Sequence, residues 1–127
     1  MIVAVEAVRM SFDPCSIHHV VLRTAEGASL TGDILRVAQH ALDALPRRYP
    51  GLRVAGSFFA PDTLSLLLDF SRCDEDVSRA VQSFKTEVRK LAGKEGFKGV
   101  HFWRREYEEK AVESEQEMRN ILSGWNL

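Results

Sequence analysis

The chain has 127 residues, of which 45% are hydrophobic and 28% are charged, so it can bury one core but is too short for two ordinary domains. Its 17 basic and 18 acidic residues leave a net charge of −1, which argues against both an intrinsically disordered chain and a generic binder of polyanions. The first ten residues lack a signal-peptide pattern, no segment approaches the ~20 apolar residues of a membrane span, and there are only two cysteines. The sequence therefore predicts one domain, residues 1–127, in the reducing cytoplasm and without a disulfide framework.

The first half of the chain contains one clear strand pattern and one clear helix pattern. Residues 17–24 are β-branched and apolar, as in a strand that is buried on most of its surface. Residues 1–16 form an extra N-terminal segment, and residues 2–10 within it are a candidate for a further strand. Apolar residues then recur at helical spacing from Thr31 to Leu45, and Pro46 is expected to end this helix.

The second half completes an alternating order of elements. Residues 52–59 and 63–70 are strand-like and are separated by the turn residues 60–62, which predicts a hairpin. The remaining predicted elements are a helix at 74–91, a strand at 100–107 and a short helix through Leu122 that is capped by Ser114. This order predicts an α+β, ferredoxin-like fold, a split βαβ (βαββαβ) antiparallel sheet with helices on one face and a short C-terminal helix in addition.

The net charge conceals a basic stretch between Arg79 and Arg105. This stretch contains eight basic and two acidic residues, although the whole chain is slightly acidic. Two of its members, Lys85 and Arg89, lie four residues apart and therefore on one face of the predicted helix. A local anion-binding surface is one interpretation of this pattern, and a solvated helix face is the other. The candidate anion-binding residues are Lys85, Arg89, Lys90, Lys94, Lys98, Arg104 and Arg105.

The familiar motifs of enzyme active sites are absent from the sequence. It contains no G-x-S-x-G, phosphate-loop or H-E-x-x-H pattern. Cys15, His18 and His19 lie close together, but neighbouring residues of a strand point to opposite faces, so the two histidines cannot easily share a metal ion. An acidic cluster surrounds Tyr107 and is expected to be a solvated face. Its members are Glu106, Glu108, Glu109 and Glu113. No metal and no cofactor is predicted.

Five segments, taken in order, are similar to one protein family. The segments are IHHVVLRT at 17–24, LTGDIL at the start of the following helix, FFAPDTLSLLLDF at 58–70, AVQSFKTEVRKL at 80–91 and FWRREYEEKAVESEQEMRNIL at 102–122. Together they resemble the insertion-sequence-200-like transposases, which are single-strand DNA transposases of the HUH and tyrosine type and include the relatives associated with repetitive extragenic palindromes (REP). The resemblance covers residues 17–122 and lies in the ordered set, not in any single motif.

The resemblance implies catalytic positions that other residues occupy in this chain. In the family, two histidines after a Pro-Asp pair bind a divalent metal, and the matching positions here are Thr63 and Ser65, whose hydroxyls are poor replacements for imidazole. The position of the family's catalytic tyrosine matches Asn120, and an amide cannot form a covalent link to DNA. The position of the third metal ligand matches Gly124, or Asn126 in a shifted alignment. The resemblance therefore implies a degenerate member without a catalytic metal.

These substitutions favour a catalytically inactive, transposase-like protein that binds single-stranded or hairpin DNA through the basic stretch. Tyr107 matches an aromatic residue that follows the family's last strand, and we interpret it as a packing residue, not as a replacement nucleophile. A protein-interaction or dimerisation module without a DNA role is the alternative hypothesis, and an enzyme with altered chemistry is a third.

The resemblance also implies a homodimer in which the sheets of two copies join. The apolar strand His19–Leu22 is predicted to provide the exposed edge for this pairing, because unpaired backbone groups at an edge invite a partner strand. The apolar residues of the C-terminal helix also need cover, which either the chain's own sheet or a second subunit could supply. They are Met118, Ile121, Leu122 and Trp125.

Overall fold

The described residues form a five-stranded antiparallel sheet. The computed structural model describes residues 5–7, 16–97 and 101–125. The strands are β1 (Val5–Ala7), β2 (Ile17–Arg23), β3 (Arg53–Ala60), β4 (Thr63–Asp69) and β5 (Glu108–Ala111). They lie in the order β1-β3-β4-β2-β5, and each neighbouring pair is antiparallel.

Helices connect these strands in the split βαβ pattern. The helices are α1 (Gly32–Arg48), α2 (Val77–Lys94) and α3 (Glu115–Trp125). The two strands joined through α1 lie on either side of β4, and the two joined through α2 lie on either side of β2. This arrangement confirms the predicted α+β, ferredoxin-like fold, to which β1 is added at one edge of the sheet. Within the described ranges, no helix has the length and apolar character needed to cross a membrane.

The sheet carries a separate apolar core on each face. Because side chains alternate along a strand, Val20 and Leu22 of β2 face one side and Ile17 faces the other. The larger core joins the first side to α1 and α2. The smaller core lies beneath α3 on the second side, which we call the α3 face, and its buried members are Ile17, Ala55, Leu67, Val112 and Trp125. The C-terminal helix is thus covered by its own sheet.

Both long helices end later than predicted. α1 continues to Arg48 with Pro46 inside it, so the prediction that Pro46 stops the helix is wrong. A proline removes only the one hydrogen bond that its missing N–H would donate, and the next turn still forms, since the Tyr49 N–H donates to the Leu45 carbonyl at 3.0 Å. α2 begins at Val77, three residues later than predicted, and ends at Lys94, also three residues later.

The last strand lies at Glu108–Ala111, so the prediction of a strand at 100–107 is wrong. Residues 101–107 form a loop that touches the sheet through an isolated bridge between Trp103 and Thr24. The apolar character of Phe102 and Trp103 suggested a strand, but both side chains contribute to the helix-side core from this loop. The true strand consists mainly of charged residues, which an edge strand tolerates because it has a single neighbour.

Smaller elements agree with the sequence pattern. The predicted hairpin forms, with Ala60 opposite Thr63 next to its turn. Ser114 caps α3, because its Oγ accepts a hydrogen bond from the Glu117 N–H at 3.0 Å. Of the candidate strand at 2–10, residues 5–7 form β1 and pair with β3, and the other residues of that prediction lie outside the described residues.

The proposed dimer edge at His19–Leu22 is contradicted by the sheet order. β2 pairs with β4 along its whole length and with β5 from His18 to Val21, so its backbone groups have partners on both sides. The sequence could not show this, because an interior strand and a buried edge strand have the same apolar pattern. Among the described strands, the outer edges belong to β1 and β5.

The homodimer itself stays a prediction, and light scattering tests it. We expect a mass of twice the 14.3 kDa of one chain at micromolar concentration, with the contact at an outer edge of the sheet. A mass of one chain that does not change on concentration would remove the dimer.

Candidate functional site

Helix α2 and the loop 101–107 enclose an open, basic groove. Lys85 and Arg89 lie one turn apart on α2, as predicted, and the loop passes beside them. The groove has a volume of about 310 Å³. Its lining residues are Gln82, Lys85, Thr86, Arg89, His101, Phe102, Trp103, Arg104 and Arg105. We call this site the basic groove.

The loop is attached to the end of β2 by main-chain hydrogen bonds. The Arg104 N–H donates to the Arg23 carbonyl, and the Ala25 N–H donates to the Phe102 carbonyl, each at 2.9 Å. The Arg104 side chain is bonded to the same segment, since its Nε donates to the Thr24 carbonyl at 3.2 Å. Beneath the loop, the rings of Trp103 and Phe84 lie 5.7 Å apart between centroids. The part of the loop that carries Arg104 and Arg105 is therefore fixed to the end of β2, although it is not a regular strand.

Lys85 contacts the loop directly. Its Nζ donates to the Arg104 carbonyl at 3.0 Å and to the Arg105 carbonyl at 3.3 Å. The same ammonium group lies 5.6 Å from the centroid of the Tyr107 ring. Burial lowers the pKa of Lys85 from its usual value, while the nearby Glu106 carboxylate opposes this shift. Tyr107 itself is half-buried against the helix-side core, which agrees with its interpretation as a packing residue.

The groove brings together four of the seven candidate anion-binding residues, namely Lys85, Arg89, Arg104 and Arg105. Of the remaining three, Lys90 is exposed on α2 but does not line the groove. Lys94 lines a different depression, next to Arg36 and His40. Lys98 lies outside the described residues.

Three arginines of the groove are available to an anion. Arg89, Arg104 and Arg105 are exposed, and none of them takes part in an ion pair with any described residue. By contrast, Arg36 pairs with both Asp33 and Glu95. Sequence reasoning missed His101 and Gln82 as lining residues, although Gln82 lies three residues before Lys85 and seven before Arg89, a spacing that marks one helix face.

The two positions that the resemblance assigns to metal-binding histidines lie on the α3 face. Thr63 and Ser65 are two residues apart on β4 and point to the same side of the sheet. The Thr63 hydroxyl donates to the Asp62 carboxylate at 3.1 Å, and Ser65 is buried. In the part of the chain that the structure describes, no group of three or more His, Cys, Asp or Glu residues could hold a metal ion.

Asn120 lies on the exposed side of α3. Its Oδ1 accepts a hydrogen bond from the Gln116 Nε2 at 2.9 Å, one turn earlier. The residues that α3 turns towards the sheet are apolar, and they are Met118, Ile121, Leu122 and Trp125. Thr63 and Ser65 thus lie on the face of the sheet that carries α3, whereas Asn120 is on the exposed side of that helix. Gly124 is exposed, and Asn126 lies outside the described residues.

The two neighbouring histidines point to opposite faces, as predicted for a strand. The His18 Nδ1 lies 2.8 Å from the Glu109 carboxylate, and its ring meets the edge of Phe70. His19 lies on the α3 face with its ring centroid 6.4 Å from that of Trp125. Cys15, the third member of this candidate group, lies outside the described residues.

The acidic cluster is exposed, as expected of a solvated face. Glu106, Glu108, Glu109 and Glu113 are all exposed. Two of them have partners, since Glu108 pairs with Arg23 and Glu109 pairs with His18. Glu106 lies close enough to Lys85 to affect its pKa, so a polyanion in the groove would be repelled from the side of Glu106.

His19 is expected to make stability depend on pH. Its Nε2 is buried and has no hydrogen-bond partner among the described residues. Burial lowers the pKa of His19 below its usual 6.5, although the Glu108 and Glu117 carboxylates oppose this shift. Below about pH 6.5 the unfolded chain therefore binds a proton more readily than the folded chain, so the free energy of unfolding should fall as the pH falls.

Urea denaturation of the wild type and a His19→Leu variant between about pH 7.5 and pH 5 measures this effect, because the variant removes the titrating ring. We expect the wild type to lose more stability than the variant over this range. Equal losses would show that His19 does not contribute to the pH dependence.

The solved structures that share this fold include the following two. One is the structure of a REP-associated tyrosine transposase bound to a REP hairpin, which superimposes with a TM-score of 0.73 at 13% identity, over 94% of this chain and 70% of that chain. The other is a crystal structure of a protein from Deinococcus radiodurans R1 provisionally described as a transposase, with a TM-score of 0.65 at 17% identity over 94% of both chains. No protein-family model and no curated protein matches the sequence. At these identities the likeness is one of fold, and this chain has the fold of the two structures.

Proposed function

We propose that this protein is a transposase-like DNA-binding protein that binds single-stranded or hairpin DNA in the basic groove and does not cleave it. The observation that carries the proposal is the grouping of Arg89, Arg104 and Arg105 along one open groove, exposed and without acidic partners among the described residues. The shared fold with a transposase that is bound to a REP hairpin supports the choice of ligand.

The chemistry of the groove suits a phosphate backbone. A guanidinium group offers several N–H donors in a planar fork, which matches the oxygens of a phosphate. Contacts of this kind place a nucleic acid but do not read its sequence. Because the whole chain has a net charge of −1, binding should depend on this local surface and should weaken steeply as salt rises.

Fluorescence anisotropy with labelled oligonucleotides tests the proposal. A hairpin, its unpaired single strand and a blunt duplex of equal length are titrated with the full chain at low salt. We expect the hairpin and the single strand to bind more tightly than the duplex. If none of them binds even at low salt, the protein-interaction module becomes the better hypothesis.

Loss of strand cleavage is the second part of the proposal. It rests on Thr63, Ser65 and Asn120, which match the metal-binding and nucleophile positions of the family. Neutral hydroxyls are poor replacements for imidazole as ligands of a divalent metal, and an amide is not a nucleophile that forms a phosphotyrosine-type link.

We therefore expect neither cleaved product nor a covalent protein–DNA adduct when the chain is incubated with hairpin DNA and magnesium or manganese. Denaturing gel electrophoresis detects both species. An adduct that disappears in a Tyr107→Phe variant would show that Tyr107 serves as a replacement nucleophile, against this account.

A further inference from the structure

The ammonium group of Lys85 is bound to the protein main chain. Two of its three N–H donors are taken by the carbonyls of Arg104 and Arg105, at 3.0 and 3.3 Å. Its charge also faces the Tyr107 ring at 5.6 Å from the centroid. Arg89, one turn further along α2, lines the same groove but has no such bonds among the described residues. The two basic residues are therefore not equivalent.

The loop 101–107 is attached to α2 in two ways, by the packing of Trp103 on Phe84 and by the hydrogen bonds of Lys85. On the opposite side of the loop, the Arg104 N–H donates to the Arg23 carbonyl, and the Phe102 carbonyl accepts from the Ala25 N–H. The carbonyls of Arg104 and Arg105 are turned towards α2, where Lys85 supplies the donor to both. Among the described residues, no other hydrogen bond joins the loop to α2, so without Lys85 both carbonyls lose their protein donor.

We propose that Lys85 is a positioning residue, which fixes the loop 101–107 so that the side chains of Arg104 and Arg105 line the basic groove, and that it does not itself neutralise a DNA phosphate. The effect that Lys85 should have on DNA binding rests on the proposed function. The fixing of the loop can be measured without DNA, so the two can fail separately.

Hydrogen exchange of the free protein tests the fixing of the loop. Lys85→Met removes the donors but keeps an unbranched side chain, and Arg89→Met is the matched control on the same face of α2. The reporters are the amides of Arg104 and Ala25, which are bonded between the loop and the end of β2. We expect exchange at both amides to rise at least about tenfold in Lys85→Met and to stay as in the wild type in Arg89→Met.

A Lys85→Arg variant distinguishes loss of the loop's attachment from general unfolding. Its guanidinium can donate to the same two carbonyls, so slow exchange should be restored. Wild-type exchange rates in Lys85→Met would overturn the proposal. So would faster exchange throughout the sheet in both variants at Lys85, because the effect would then be a global loss of stability.

A double-mutant cycle tests the consequence for DNA. We expect Lys85→Met to weaken hairpin binding about tenfold in the wild type but less than about twofold in an Arg104→Gln/Arg105→Gln background, since the residues that it positions are then gone. Arg89→Met should cost the same factor in both backgrounds. Equal losses from Lys85→Met in both would identify Lys85 as an independent phosphate contact and overturn the proposal. If the wild type binds no DNA, the proposed function fails, and the exchange experiment alone decides the role of Lys85 in the loop.

Discussion

We expect an Arg104→Glu/Arg105→Glu variant to bind hairpin DNA at least about a hundredfold more weakly than the wild type at low salt. A hydrogen bond to a charged group contributes about 1.5–3 kcal/mol, so two lost contacts cost about 3 kcal/mol, and each ~1.4 kcal/mol is a factor of ten in affinity. The new carboxylates add repulsion of the phosphates. Anisotropy titration of the variant and the wild type on the same labelled hairpin measures the ratio.

An Arg47→Glu/Arg72→Glu variant is the control, because it changes the net charge by the same amount. Both of these arginines are exposed and lie outside the basic groove. We expect this variant to lose less than about tenfold, because its new carboxylates lie outside the groove and remove no direct contact with a phosphate. Equal losses in the two variants would show that binding follows net charge and not the groove.

The largest loss of stability is expected for Phe84→Ala. Phe84 is 1% exposed, lies in the core between the sheet and its two long helices, and packs against Trp103. Truncation of a buried phenylalanine costs about 3–5 kcal/mol, because apolar burial is lost and a cavity is left. The free energy of unfolding of a domain of this size is about 5–15 kcal/mol, so this loss is a large fraction of it. Urea denaturation followed by circular dichroism measures the change.

Phe58→Ala provides the comparison on the opposite face. Phe58 is half-buried and stacks on Trp125 with 6.0 Å between ring centroids. Because less of its surface is removed from water, we expect its truncation to cost less than that of Phe84. If Phe84→Ala lost under about 1 kcal/mol, the helix-side core would not be packed as described.

The fold could be predicted because its signals are local. Turn residues at 60–62 mark the hairpin, the apolar stripes mark both long helices, and Ser114 marks the start of α3. Each of these features acts within a few residues, so the sequence alone reveals it. Their order was enough to indicate the split βαβ arrangement.

The errors concern features that depend on distant contacts. Phe102 and Trp103 have the apolar pattern of a strand, yet they pack from a loop because the last strand pairs with β2 further along the chain. Likewise, the apolar strand His19–Leu22 is interior to the sheet because β5 covers its second side. The residues of a strand do not by themselves show which strands it pairs with.

The sequence was enough to predict a group of basic residues at the candidate site, but not how they are arranged in space. Helical spacing places Lys85 and Arg89 together, and the loop 101–107, between α2 and β5, adds Arg104 and Arg105. The sequence gives no sign that Lys85 is bonded to the main chain while Arg89 is exposed. Such differences arise from the tertiary path of residues 101–107.

The salt dependence of hairpin binding by the wild-type chain tests the central claim most directly. If Arg89, Arg104 and Arg105 each neutralise one phosphate of a single-stranded region, the logarithm of the association constant should fall with the logarithm of salt concentration with a slope of about −2. Anisotropy titrations over a series of salt concentrations give this slope. A slope near zero, or no binding at the lowest salt, would contradict a phosphate-binding role for the basic groove.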